Sequence, residues 1–102
     1  MQYQLVIQFK ADPPDDFDSL IRFEDELRSR IGDSAEVYGH DFGSGELNIF
    51  VLTDHPESTF KYVQEVFTLL RPKHAMAVAY RKLTEQKFTT IWPTTLKDFR
   101  VS

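Results

Sequence analysis

Five side chains with chemical potential crowd into nine residues: His40, Asp41, Ser44, Glu46 and Asn48, inside the run Tyr38-Gly39-His40-Asp41-Phe42-Gly43-Ser44-Gly45-Glu46-Leu47-Asn48. A general base needs a pKa near neutrality, and an imidazole beside a carboxylate, His40 next to Asp41, offers one. A divalent metal would accept His40, Asp41 and Glu46 as ligands. Ser44 with His40 is a poorer catalytic pair, because Gly43-Ser44-Gly45 is only part of the strand-turn-helix elbow that aims a serine nucleophile. The plainer reading competes with all three: two glycines and the short polar side chains make a hairpin turn and cap its backbone. The five residues are therefore candidate ligand-binding residues. No catalytic residue is assigned, and the identity of any metal stays open.

The remaining chemistry is sparse. His55 precedes Pro56 at a helix start, where it reads as a capping-region residue. His74 follows a helix end, where a cation suits the dipole. Gly43-x-Gly45 is not a nucleotide loop, since it leads into a strand instead of a helix N-terminus. No cofactor is expected. Without cysteine, disulfides, thiolate metal sites and thiol catalysis are excluded.

The elements that must position these residues follow from periodicity. From Gln2 to Phe9 the chain alternates, with Tyr3, Leu5, Ile7 and Phe9 facing one way, which predicts a strand with one buried face. After Ala11-Asp12-Pro13-Pro14, Asp15 or Asp16 opens a helix to about Arg30. Phe17, Leu20, Ile21, Phe23, Leu27 and Ile31 form its apolar arc. Glu24 lies inside the arc, and an i,i+4 pair with Arg28 would account for it. Gly32 stops the helix. A second strand runs from about Ser34 to Gly39 and a third from Glu46 to Leu52, apolar on nearly both sides as a central strand would be. A second helix opens at Thr53 or Asp54 and runs to about Leu70, where Pro72 ends it. A fourth strand spans about Ala75 to Leu83.

The order β-α-β-β-α-β predicts an α+β fold: a ferredoxin-like βαββαβ sandwich, its four-stranded antiparallel sheet carrying both helices on one face. It accounts for residues 1–83 as one domain. Residues 84–102 form a C-terminal extension rich in apolar side chains (Phe88, Ile91, Trp92, Leu96, Phe99, Val101), unlike a disordered tail. Thr89 to Trp92 has strand propensity up to Pro93. With both helices on one face, the other exposes Val6, Phe50, Leu52 and a row of the fourth strand, and needs a cover. Two readings compete: the extension packs on its own domain, over this face or along the Tyr62 and Leu69 stripe of the second helix, or the face or the extension meets a partner. Self-association through this face recurs among ferredoxin-like modules, so a homodimer is expected by analogy of fold.

Charge narrows the partners. Twelve Lys and Arg against sixteen Asp and Glu leave a net charge of −4, which does not attract a polyanion. The basic groups Arg71-Pro72-Lys73-His74 and Arg81-Lys82 are short and fall at element ends. Nucleic acid is not an expected partner. RNA-recognition modules share the βαββαβ order, but Tyr3 and Phe9 lie on the core-facing row and the third strand lacks a basic-aromatic pattern. No apolar run approaches the roughly 20 residues of a membrane span, and Met1-Gln2-Tyr3-Gln4 is unlike a secretory leader, so neither membrane nor secretion is expected.

The stretch Gly39-His-Asp-Phe-Gly-Ser-Gly-Glu-Leu-Asn-Ile-Phe50, with Thr53, Pro56 and Thr59-Phe60 downstream, resembles a group of small uncharacterised bacterial proteins carrying a GHDxGSGExNIF signature. The resemblance covers about residues 2–92. It implies a bacterial, cytoplasmic source and transfers no catalytic residue. These readings together predict a non-enzymatic binding or interaction module that pairs with itself and could hold a small ligand or a protein partner. Two alternatives stand beside it: a small metal-binding protein or enzyme using the His40–Asn48 hairpin, and an acidic inhibitor or immunity-type partner of a basic protein.

Overall fold

The computed structural model describes residues 1–11 and 17–101. The expected helix start at Asp15 or Asp16 lies outside these residues. The elements are β1 (Tyr3–Lys10), α1 (Phe17–Ile31), a 3-10 turn (Gly32–Ser34), β2 (Glu36–Gly43), β3 (Glu46–Thr53), α2 (Pro56–Leu70), β4 (Met76–Lys82) and β5 (Thr89–Trp92). The fold is α+β, with two helices and one sheet in the order β2-β3-β1-β4-β5, every neighbouring pair antiparallel.

The sheet has five strands, not the expected four. Thr89–Trp92 hydrogen-bonds along the outer edge of β4, with Ala79 opposite Thr90 and Tyr80 opposite Thr89. The β-branched run Thr89-Thr90-Ile91 favours extension, and Pro93, which has no N–H to donate, ends it.

Alternation along β1 builds two separate apolar layers. Leu5, Ile7 and Phe9 join Leu20, Phe23 and Leu27 of α1 and Val63 and Val66 of α2 in the main core. The Phe9 and Phe23 rings meet edge to face at 5.0 Å. Each such side chain taken out of water contributes about 1.5–3 kcal/mol. Arg30 ties the two helices at the surface, 3.1 Å from Glu26 and 3.2 Å from Glu65.

Val6 points the other way. It packs with Ala79 and Phe99, flanked by Phe50, Ala77, Phe88 and Leu96. The C-terminal segment thus lies over the centre of the helix-free sheet face, with Phe99 buried against it. Arg81 braces the approach to that segment: its Nε donates to Gln4 Oε1 at 2.8 Å, one Nη donates to the Glu85 carbonyl at 2.8 Å, and the guanidinium lies 5.9 Å from the Phe88 ring centre.

Local signals explain the element ends. Gly32 takes φ +57°, a left-handed conformation that glycine adopts without a Cβ penalty, and closes α1. Pro56 sits in the first turn of α2, where its missing N–H costs nothing. Thr53 Oγ1 accepts from the His55 N–H at 3.0 Å and bonds Thr59 Oγ1 at 2.8 Å, fixing the entry into the helix.

Candidate functional site

The hairpin that carries the five candidate residues is tighter than the sequence suggests. Strand β2 runs on to Gly43, beyond the Gly39 expected, and only Ser44 and Gly45 turn. Their φ angles are +54° and +73°. Positive φ at both central positions is what a type I′ turn requires, and its twist matches the flanking strands. The strands therefore pair right up to the turn, Gly43 opposite Glu46 and Asp41 opposite Asn48.

Pairing to the turn divides the candidates. Successive side chains on a strand face opposite sides. Near the start of β2, Glu36 lies opposite Leu52, and Tyr38 stacks on Phe50 at 5.9 Å, so both belong to the helix-free face. A bulge between Val37 and Gly39 then inserts one residue and reverses the parity. His40 consequently lies opposite Ile49 on the helix side, and Asp41 on the other.

On the helix side His40 meets α1. Its Nδ1 is 3.0 and 3.1 Å from the two carboxylate oxygens of Glu24, and its ring packs edge-on to Phe17 at 5.9 Å. Glu24 is buried, and its expected partner Arg28 is 3.9 Å away. The imidazole therefore provides the near contact that a buried carboxylate needs, with the guanidinium behind it.

On the opposite side a second polar group forms beneath the C-terminal segment. Glu46 and Asn48 are buried with Gln8 of β1. Gln8 Nε2 donates to the Arg100 carbonyl at 2.7 Å, and lies 3.1 Å from Asn48 Oδ1 and 3.3 Å from Glu46 Oε1. Lys10 Nζ donates to Glu46 Oε2. Gln8, Lys10, Glu46 and Arg100 border a cleft of about 450 Å³ between the sheet and the C-terminal segment, walled also by Ala77, Leu96 and Phe99.

Of the five candidates, Glu46 and Asn48 share one site, and Asp41 pairs across from Asn48 in an exposed position. His40 stands on the other face of the sheet, and Ser44 is exposed at the turn. His40 and Glu46 cannot share a metal across the sheet, and among the described residues no three His, Asp or Glu side chains are placed to hold one. Sequence reasoning missed Glu24 as the partner of His40. It also missed Gln8, Lys10 and Arg100 as partners of Glu46 and Asn48. The available signal was Gln8, an amide in the middle of an apolar strand.

No protein-family profile matches the chain, and no curated protein is significantly similar to it. No helix among the described residues is long and apolar enough to cross a membrane.

Proposed function

We propose that the chain is a ferredoxin-like, non-enzymatic interaction module that pairs with a second copy of itself. The fold supports the first part: β1 to β4 lie in the order 2-3-1-4 with the helices between them in sequence, the arrangement of a split βαβ pair, and β5 extends the β4 edge. The pairing surface is the half of the helix-free face that the C-terminal segment leaves open. One observation carries this reading. Tyr38 stands 45% exposed, stacked on half-buried Phe50 beside half-buried Leu52, and this apolar strip continues directly into the covered Val6–Phe99 cluster. Aromatic residues at the rim of a formed apolar cluster are the composition that interfaces favour. Gln4 holds the Tyr38 hydroxyl from below, so the ring is oriented before any partner arrives.

Sedimentation equilibrium across a hundredfold range of concentration tests the proposal. The wild-type chain sediments as a dimer. Tyr38→Glu with Leu52→Glu sediments as a monomer with an unchanged circular dichroism spectrum. A wild-type chain that stays monomeric throughout overturns the pairing.

A further inference from the structure

We propose that the two copies meet through a half-turn about an axis along β3, with Asp41 of each copy on the Arg100 guanidinium of the other. This contact rests on the pairing proposed above and fixes its orientation. The register points to it. Asp41 lies opposite Asn48, and Asn48 opposite Gln8, so the three form one row across the helix-free face. Gln8 Nε2 donates to the Arg100 carbonyl at 2.7 Å, which holds Arg100 over the same row. One row therefore carries an acid on its open side and an arginine on its covered side.

A half-turn along the strands keeps every row in place and exchanges the two sides. β3 lies between β2, which carries Asp41, and β1, which carries Gln8. An axis over β3 therefore sets β1 of one copy over β2 of the other. Arg100 then reaches Asp41 twice, once on each side of the axis, with no slide along the strands. Phe50 and Leu52 are both on β3 and meet their own counterparts at the axis. Tyr38, stacked on Phe50, comes over the edge of the other copy's Val6–Phe99 cluster. A two-fold contact must be complementary to itself, residue i against j and j against i. The row meets that condition with opposite charges and the strip meets it with apolar side chains.

Both charges are placed for this use. Asp41 is exposed and joins no ion pair among the described residues. Arg100 is 83% exposed, and Asp98 engages its Nε at 2.9 Å. The two Nη groups carry four further N–H donors, enough for a second carboxylate. An exposed ion pair contributes little affinity, but charges across an interface select its orientation. The competing half-turn runs across the strands, about the Phe50 row. It would set Asp41 against Glu36, which lies on the Leu52 row, and bring two carboxylates together. Charge therefore favours the axis along β3.

The test is sedimentation equilibrium of Asp41→Arg and Arg100→Glu, each alone and the two mixed in equal amounts. Both side chains are exposed, and Arg100→Glu keeps the backbone carbonyl that Gln8 uses, so both variants keep the wild-type circular dichroism spectrum. Alone, each reversal sets like charges against each other at both contacts and raises the dimer dissociation constant at least about tenfold. In the mixture every contact again joins opposite charges, and the chains pair as tightly as the wild type. If the wild-type chain is a dimer and neither reversal weakens it, or the mixture fails to restore pairing, this orientation is overturned while the pairing stands. A wild-type chain that is monomeric throughout overturns the pairing itself and this contact with it.

Discussion

His40 and Asp41 are chain neighbours with separate environments, and substitution should tell them apart. Replacing His40 with alanine leaves the buried Glu24 carboxylate with only Arg28, at 3.9 Å, of these two partners. Losing the partner of a buried charged group costs about 1–3 kcal/mol. We therefore expect urea denaturation of His40→Ala to give a stability lower by that amount. Asp41→Ala, at an exposed position, should stay within about 0.5 kcal/mol of the wild type. Equal effects would mean that the bulge does not separate the two side chains. The turn offers a second residue-scale test. Ser44 holds φ +54°, a conformation asparagine tolerates better than serine, and Asn-Gly is the favoured type I′ pair. Ser44→Asn should raise stability by several tenths of a kcal/mol. Gly45→Val should lower it by about 1–2 kcal/mol, because a β-branched side chain resists φ +73°.

At the scale of elements, the C-terminal segment is held to the sheet chiefly by two neighbouring residues. Phe99 fills the apolar centre of the face, and the Arg100 carbonyl accepts from Gln8. Phe99→Ala should destabilise the protein by about 2–4 kcal/mol, toward the lower end of buried Phe→Ala changes, because the segment can partly collapse into the gap. Hydrogen exchange of the Gln8 and Asn48 amides should quicken with it. Unchanged stability would mean that the segment does not cover the sheet.

The first strand and the first helix were legible because each obeys one period. Leu5, Ile7 and Phe9 read as one face of β1. Leu20, Phe23, Leu27 and Ile31 read as the core stripe of α1. Thr89 to Trp92 read as extended, but nothing local in it shows that it pairs with β4. The site was half legible. Its residues stood out by type, yet their sides of the sheet depend on a one-residue bulge after Val37. Such an insertion reverses every later side chain and leaves no periodic trace, Gly39 being its only mark in the sequence. Glu24 was read from its own helix, which offered Arg28. Its nearer partner, His40, comes from a strand brought close only by folding.

At the scale of the whole molecule, a single sheet face serves two ends. Its β1–β4 side is covered by the protein's own C-terminal segment, and its β2–β3 side stays open around Tyr38, Phe50 and Leu52. If that open strip joins two copies, removing residues 94–102 should enlarge the apolar surface and promote association beyond a dimer, seen as faster-sedimenting species. The claim that the strip is the contact can be tested directly, because the chain has no cysteine to compete with an introduced one. Glu36→Cys places a spin label at the rim of the strip, opposite Leu52. Mixed with ¹⁵N-labelled wild-type chain, it should broaden the Tyr38, Phe50 and Leu52 amides of the labelled copy and spare those around Leu69 on α2. Broadening centred on α2, or none at any concentration, would contradict the account.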